Sequence, residues 1–196
     1  DWDGTFFRGK GVYGRPHPIQ SRIPVINAAA SEEGRAFAMR NADFLFTPVF
    51  DFDQAKATVD EISQKSASVG RDVNVLTFCT VVCRPTQQEA EDYLHWYANE
   101  NADWDAVDNL MTLQGMHAQS FTKEALSMFR DRFAAGHGGF PLVGTPDHIA
   151  DQLERLSETG VAGTTLSFVD YAKEFPYFRQ EVLPRLEAKG LRQTVS

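Results

Sequence analysis

The order of apolar runs along the chain predicts an α/β fold with parallel strands, on three observations. First, four short runs rich in β-branched or aromatic residues, "IPVINAAA", "DFLFTPVF", "VNVLTFCTVVC" and "GTTLSFVD", are each followed by a helical pattern. Second, the connections are a few residues long, and strands joined through helices pair in parallel by right-handed crossovers. Third, helix-start residues stand at the junctions: Ser31, Asp51 or Asp53, and Thr145 followed by Pro146. Four such units amount to half of an eight-fold (β/α)8 barrel. A doubly wound sheet is the alternative. Neither GxGxxG nor GxxxxGK[ST] opens a helix, so the nucleotide-binding fingerprints are missing.

The elements follow in order. "DWDGTFFRGKGVYG" reads as a turn-rich β-hairpin, and "RPHPIQSRIP" as an extended connector, because each proline biases its neighbour away from helix. The first strand ends near Asn27, and a helix starts after Ser31 with Glu32 and Glu33 in its first turn. After the second strand, Ala55, Val59 and Ile62 give a helical stripe that Gly70 closes. The third strand is the longest. Beyond it come helical stretches at 87–99, 104–113 and 123–135 and a glycine-rich loop, "AGHGGFPLVGTP". Thr145 then caps a helix with Ile149, Leu153 and Leu156 on one side. The last strand is followed by a helix opened by Pro176 and kinked at Pro184.

Composition narrows the function. The 196 residues are 42% apolar and 23% charged, enough for a real core and suited to one domain or part of a larger one. No run approaches the ~20 apolar residues of a membrane span, and "DWDGTFFRGKG" is not a signal peptide, so no membrane partner is expected. A net charge of -8 argues against nucleic acid. Cys79 and Cys83 share one face of a strand, roughly 13 Å apart, too far to bridge. They read as two small buried thiols in a reducing cytoplasm. The five histidines make no metal-ligand spacing with one another or with a cysteine.

The stretch most open to chemistry is "NAAASEEG". Small residues at a strand-to-helix junction leave backbone open, and a helix N-terminus offers free N–H groups and partial positive charge. One reading is a phosphate cup built on Ser31. The other is a plain helix cap, whose two acids complement the dipole. His137 and Gly138, in "AGHGGF", could form a lid, because glycines flank the histidine. Ser167 and Asp170, at the end of the last strand, could face a pocket, or could merely close the strand. Trp96, Tyr97 and Trp104 have the spacing of packing residues.

"VINAAASEEGRAFAMRNADFLFTP" resembles the bacterial luciferase-like flavin monooxygenase family, in the branch with alkanesulfonate, pyrimidine and dimethylsulfone monooxygenases. "DGTFFRGKGVYGRPHPIQSRIP", "GHGGFPLVGTPDHIADQL" and "GTTLSFVDYAKEFPYFRQEVLPRL" are similar to further segments of that family, in the same order. The resemblance implies a TIM barrel, of which this chain supplies about the last four β/α units. It places a hairpin and connector at 1–22 and a helical insertion and loop at 84–140. It implies reduced FMN (FMNH2) as cofactor, supplied by a flavin reductase, with O2 and a small organic molecule as substrates. A deazaflavin (F420) oxidoreductase or a non-catalytic flavin-binding protein is the alternative. Ser31 matches the family serine that binds the flavin phosphate, with the Ala30 N–H beside it. Ala29 stands where glycine is common. The catalytic residues are expected in the first half of the barrel. A half barrel exposes sheet edges and apolar interior, so self-association into a homo-oligomer is expected.

Overall fold

The computed structural model describes residues 1–29, 31–116 and 122–193. A small antiparallel hairpin comes first, β1 (Trp2–Asp3) against β2 (Arg8–Gly9). The body is a five-stranded, wholly parallel sheet of β3 (Ile26–Ala28), β4 (Phe44–Phe46), β5 (Asn74–Cys83), β6 (Phe140–Gly144) and β7 (Gly163–Ser167). Helices α1 (Glu32–Asn41), α2 (Phe52–Ala67), α6 (Pro146–Glu158), α7 (Tyr171–Glu181) and α8 (Leu183–Ala188) follow their strands. Between β5 and β6 lie α3 (Gln87–His95), a π-helical turn at Trp96–Glu100, α4 (Trp104–Leu113) and α5 (Lys123–Gly136).

Strand β5 organises the sheet because it is at least twice as long as each of its neighbours. The Thr47 N–H donates to the Leu76 carbonyl, and the Arg84 N–H donates to that of Gly144. Even-numbered residues of β5 therefore bond along one edge, first to β4 and then to β6. The Ala162 N–H donates to the Val75 carbonyl on the opposite edge, where β7 runs. Side chains alternate in the same way. Val75, Cys79, Val81 and Cys83 face the helices and join one core with Leu45, Ile62, Leu142, Ile149 and Phe178. Leu76, Phe78, Thr80 and Val82 point to the other side, the one a closed barrel would enclose.

Two expectations need correction. The glycine-rich segment before Thr145 is not all loop, since Phe140–Gly144 forms β6 with Phe140 and Leu142 buried. Pro141, in the middle of this strand, cannot donate a ladder hydrogen bond. It is tolerated because the bonds to β5 run through Phe140, Leu142 and Gly144, leaving Pro141 on the outer edge. The last helix does not open at Pro176. It opens at Tyr171, because the Asp170 carboxylate accepts from the Lys173 N–H at 3.2 Å, and Pro176 lies inside it. Pro184 stands where α7 gives way to α8.

The connector is tied to the sheet through Asp43. Its carboxylate accepts from the Val25 N–H at 2.8 Å and from Arg22 at 2.5 Å. Those bonds hold the Asp43 carboxyl below its usual value. The hairpin and connector otherwise leave Trp2, Phe6, Phe7, Tyr13 and Ile19 exposed. Among the described residues, β3, β6 and β7 each pair along one edge only.

Candidate functional site

The carboxyl ends of parallel strands are where this architecture builds sites, because the connecting loops and helix N-termini converge there. At that end lies a cleft of about 530 Å3. Its floor is the inner face of the sheet: Phe46 from β4, Phe78 from β5, Thr165 and Ser167 from β7. Phe46 and Phe78 stack with centroids 5.8 Å apart. Overhead sit Gln114 and Met116 from the end of α4, with Phe133, His137 and Gly138 from the end of α5. The Phe46 and Phe78 pairing was readable in principle from strand alternation. Gln114 carried no sequence signal, since it reaches the cleft only through the packing of α4 on α5.

His137 closes α5 in the left-handed conformation, φ 56°, a state that costs a non-glycine residue roughly 1–2 kcal/mol. Its N–H donates to the Phe133 carbonyl, its ring leans on the Phe133 ring at 5.3 Å, and its Nε2 lies 3.3 Å from Gln114 Nε2. The flanking glycines have a packing reason. A Cβ on Gly139 would stand 2.7 Å from Thr80 Oγ1, and one on Gly136 2.4 Å from the same atom. Tyr97 Oη donates to the Ala135 carbonyl at 2.9 Å, fixing the loop from the α3 side. His137 and Gly138 thus hang over the cleft on a segment pressed against β5.

The second predicted feature, the start of α1, stands at the same end. Ala28 is in register with Phe46, so the chain leaving β3 passes beside the cleft floor. Ser31 caps the helix, its Oγ accepting from the Gly34 N–H at 3.1 Å. Gly34 is needed because a Cβ there would meet Ala29 Cβ at 2.9 Å. The small residues of "NAAASEEG" therefore pack the strand end against the first helical turn, with Glu32 and Glu33 exposed. Ala30 lies outside the described residues. The cap does not use up the N-terminus: the first N–H groups of a helix lack partners within it. Ala28 is exposed at the strand end, and Ala29 packs between the core and Gly34.

A larger cleft, about 830 Å3, opens between α3 and α7 on the helix side of the sheet. Its polar groups are already engaged. Arg84 donates to Glu174 at 2.6 Å and lies 3.9 Å over the Tyr93 ring. The other Glu174 oxygen accepts from the Val169 and Asp170 N–H groups at 3.0 and 3.2 Å. This pair fastens the loop after β7 to the end of β5. Asp170 belongs to this side, as the cap of α7, whereas Ser167 faces the cleft at the strand ends. Burial pushes both thiols up to about 11, so Cys79 and Cys83 are poor nucleophiles.

A wholly parallel β/α sheet with helices packed on one face and a cleft at its carboxyl end is the architecture of part of a TIM barrel. Residues 1–163 match the luciferase-like monooxygenase family, and the chain belongs to it. The FMNH(2)-dependent dimethylsulfone monooxygenase of Pseudomonas fluorescens (strain Pf0-1) is 30% identical over 95% of this chain and 53% of its own length. Among solved structures, a riboflavin lyase crystallised with modified FMN and riboflavin superposes with a TM-score of 0.82. It is 22% identical, over 98% of this chain and 49% of its own. The EDTA monooxygenase of Chelativorans sp. BNC1 gives 0.77 at 19% identity, over 96% and 50%. The chain spans about half the length of these relatives.

Proposed function

We propose that these residues form the second half of a (β/α)8 barrel that works as a reduced-FMN monooxygenase on a small organic substrate. In this reading 1–22 is a hairpin and connector, and 84–140 the insertion that roofs the site. Supporting partners are a flavin reductase, O2 and the first half of the barrel. The observation that carries the reading is the meeting of two features at one end of one sheet: the Ser31-capped N-terminus of α1, which follows the exposed Ala28 of β3, and the aromatic cleft beside it. Ser31 and the first N–H groups of α1 would hold the phosphate, and Phe46 and Phe78 would offer a flat apolar surface to the ring. Reduced FMN, when bound, supplies the activation of O2. The insertion would exclude water above the ring, with His137 and Gln114 placed to hydrogen-bond the substrate. Open strand edges favour association with a second copy if no first half is present.

The test is a titration of FMN and riboflavin into the full-length protein and its Ser31→Ala variant. A hydrogen bond to a charged group is worth roughly 1.5–3 kcal/mol, so FMN binding should weaken about 10- to 150-fold. Riboflavin, which lacks the phosphate, should lose much less. Because Ser31 is also a cap worth ~1 kcal/mol, the apo melting temperature is measured beside both. Equal losses for the two flavins would reduce Ser31 to a helix cap. Tighter binding and reduction of F420 would transfer the reading to the deazaflavin carrier.

A further inference from the structure

We infer that the cleft between α3 and α7, on the helix side of the sheet, is a binding site for a flat, uncharged aromatic molecule. The inference stands independently of the flavin reading.

Both walls of this cleft belong to the chain: α3 and the π-helical turn that continues it on one side, α7 and the loop after β7 on the other. At about 830 Å3 it has the volume of a small-molecule site. An exposed ring stands on each wall, Trp96 with 52% of its surface open and Tyr171 with 57%. Contiguous exposed aromatic surface of this kind marks interaction sites.

Neither ring is loose. The Trp96 carbonyl accepts from both the N–H and the Nδ2 of Asn101, at 3.0 and 2.9 Å, which pins the π-helical turn. Such turns are uncommon and recur at functional sites. The Trp96 ring stacks on Tyr93 with centroids 5.8 Å apart and 29° between the planes. Tyr93 is held in turn by the Arg84 guanidinium, 3.9 Å from its centroid, and Arg84 by Glu174 at 2.6 Å. On the other wall Tyr171 rests edge-on against Phe168 at 5.5 Å, and Glu174 fixes the backbone just before it through the Val169 and Asp170 N–H groups. Rings already braced in this way lose little freedom when a ligand stacks on them. The charges set the ligand's class. Arg84 is paired with Glu174, and Lys173 with Asp170 at 3.0 Å, so the four ionised lining groups cancel. A charged ligand would compete with one of these pairs, whereas a flat ring needs only the exposed aromatic faces.

The probes are 2-naphthol and decahydro-2-naphthol, the same skeleton with and without flat rings, both uncharged at pH 7. Each is titrated into the full-length protein without flavin, and the ring resonances of Trp96 and Tyr171 are followed by NMR. 2-Naphthol should shift both and bind at least about tenfold more tightly than the saturated compound, as two ring–ring contacts require. Trp96→Ala, at a side chain half open to solvent, should leave the melting temperature nearly unchanged. It should weaken 2-naphthol at least about tenfold, read at Tyr171. Trp96→Phe, which keeps a ring, should restore most of that loss. The inference is overturned if neither resonance moves at millimolar 2-naphthol, or if the two compounds bind equally. An affinity unchanged by Trp96→Ala also overturns it, because the ligand then sits elsewhere.

Discussion

The two faces of β5 differ in what finishes them. On the outer face Val75, Thr77, Cys79, Val81 and Cys83 are all buried, covered by helices of this chain. On the inner face Leu76 and Phe78 remain half-buried, and burial returns only at Thr80 and Val82, where the Gly136–Gly139 segment presses down. Neighbouring strands repeat the pattern: Leu45 is fully buried, while Phe44 and Phe46 beside it are not. The outer face is thus a completed core. The inner face is left half-open, partly roofed by the ends of α4 and α5.

That contrast can be broken by substitution. The largest effect is expected outside. Phe178→Ala, at a fully buried ring, should cost about 3–5 kcal/mol, and Phe78→Ala clearly less, because half of its burial is missing. Urea denaturation of both variants checks this, and equal losses would erase the distinction. Of similar size is Glu174→Ala, at about 3–5 kcal/mol, because it strands Arg84 and two N–H groups on the helix side. Replacing Glu174 and Arg84 together should cost less than the sum of the two single changes.

Smaller is the roof. Gly139→Ala should cost about 1–3 kcal/mol by forcing the loop away from Thr80. Hydrogen exchange should show faster opening of residues near 136–139 than in the wild type. The thiols supply a pH test of the outer face. Their folded-state pKa values lie at about 11, above the ordinary 9.0. The stability they contribute is therefore fully present below pH 9 and lost as pH rises through about 11. Neither should react with a thiol reagent at pH 8 until the protein is unfolded.

Much of the fold was legible because local signals agreed with the tertiary result. Ser31, Asp51 and Thr145 do cap α1, α2 and α6, and the four apolar runs are strands in parallel register. Strand β6 was hidden because Pro141 argues locally against a ladder, and only the pairing parity shows that its missing donor faces outward. The start of α7 was hidden because Asp170 looked like a strand-end residue and Pro176 like a helix opener. The candidate site was less legible. Gln114, His137 and Ser167 are distant in sequence and meet only when α4 and α5 fold back over the sheet. The glycines beside His137 suggested mobility, whereas their visible reason is close approach to Thr80 and Phe133.

If the inner face of the sheet is the ligand face, methyl and aromatic NMR of the full-length protein during FMN titration shows it most directly. The prediction is that resonances of Phe46, Phe78 and Met116 shift with flavin, while the methyls of Val75, Val81 and Ile149 on the helix side stay in place. Shifts confined to the helix side, or around Tyr93 and Trp96 in the cleft between α3 and α7, would contradict it.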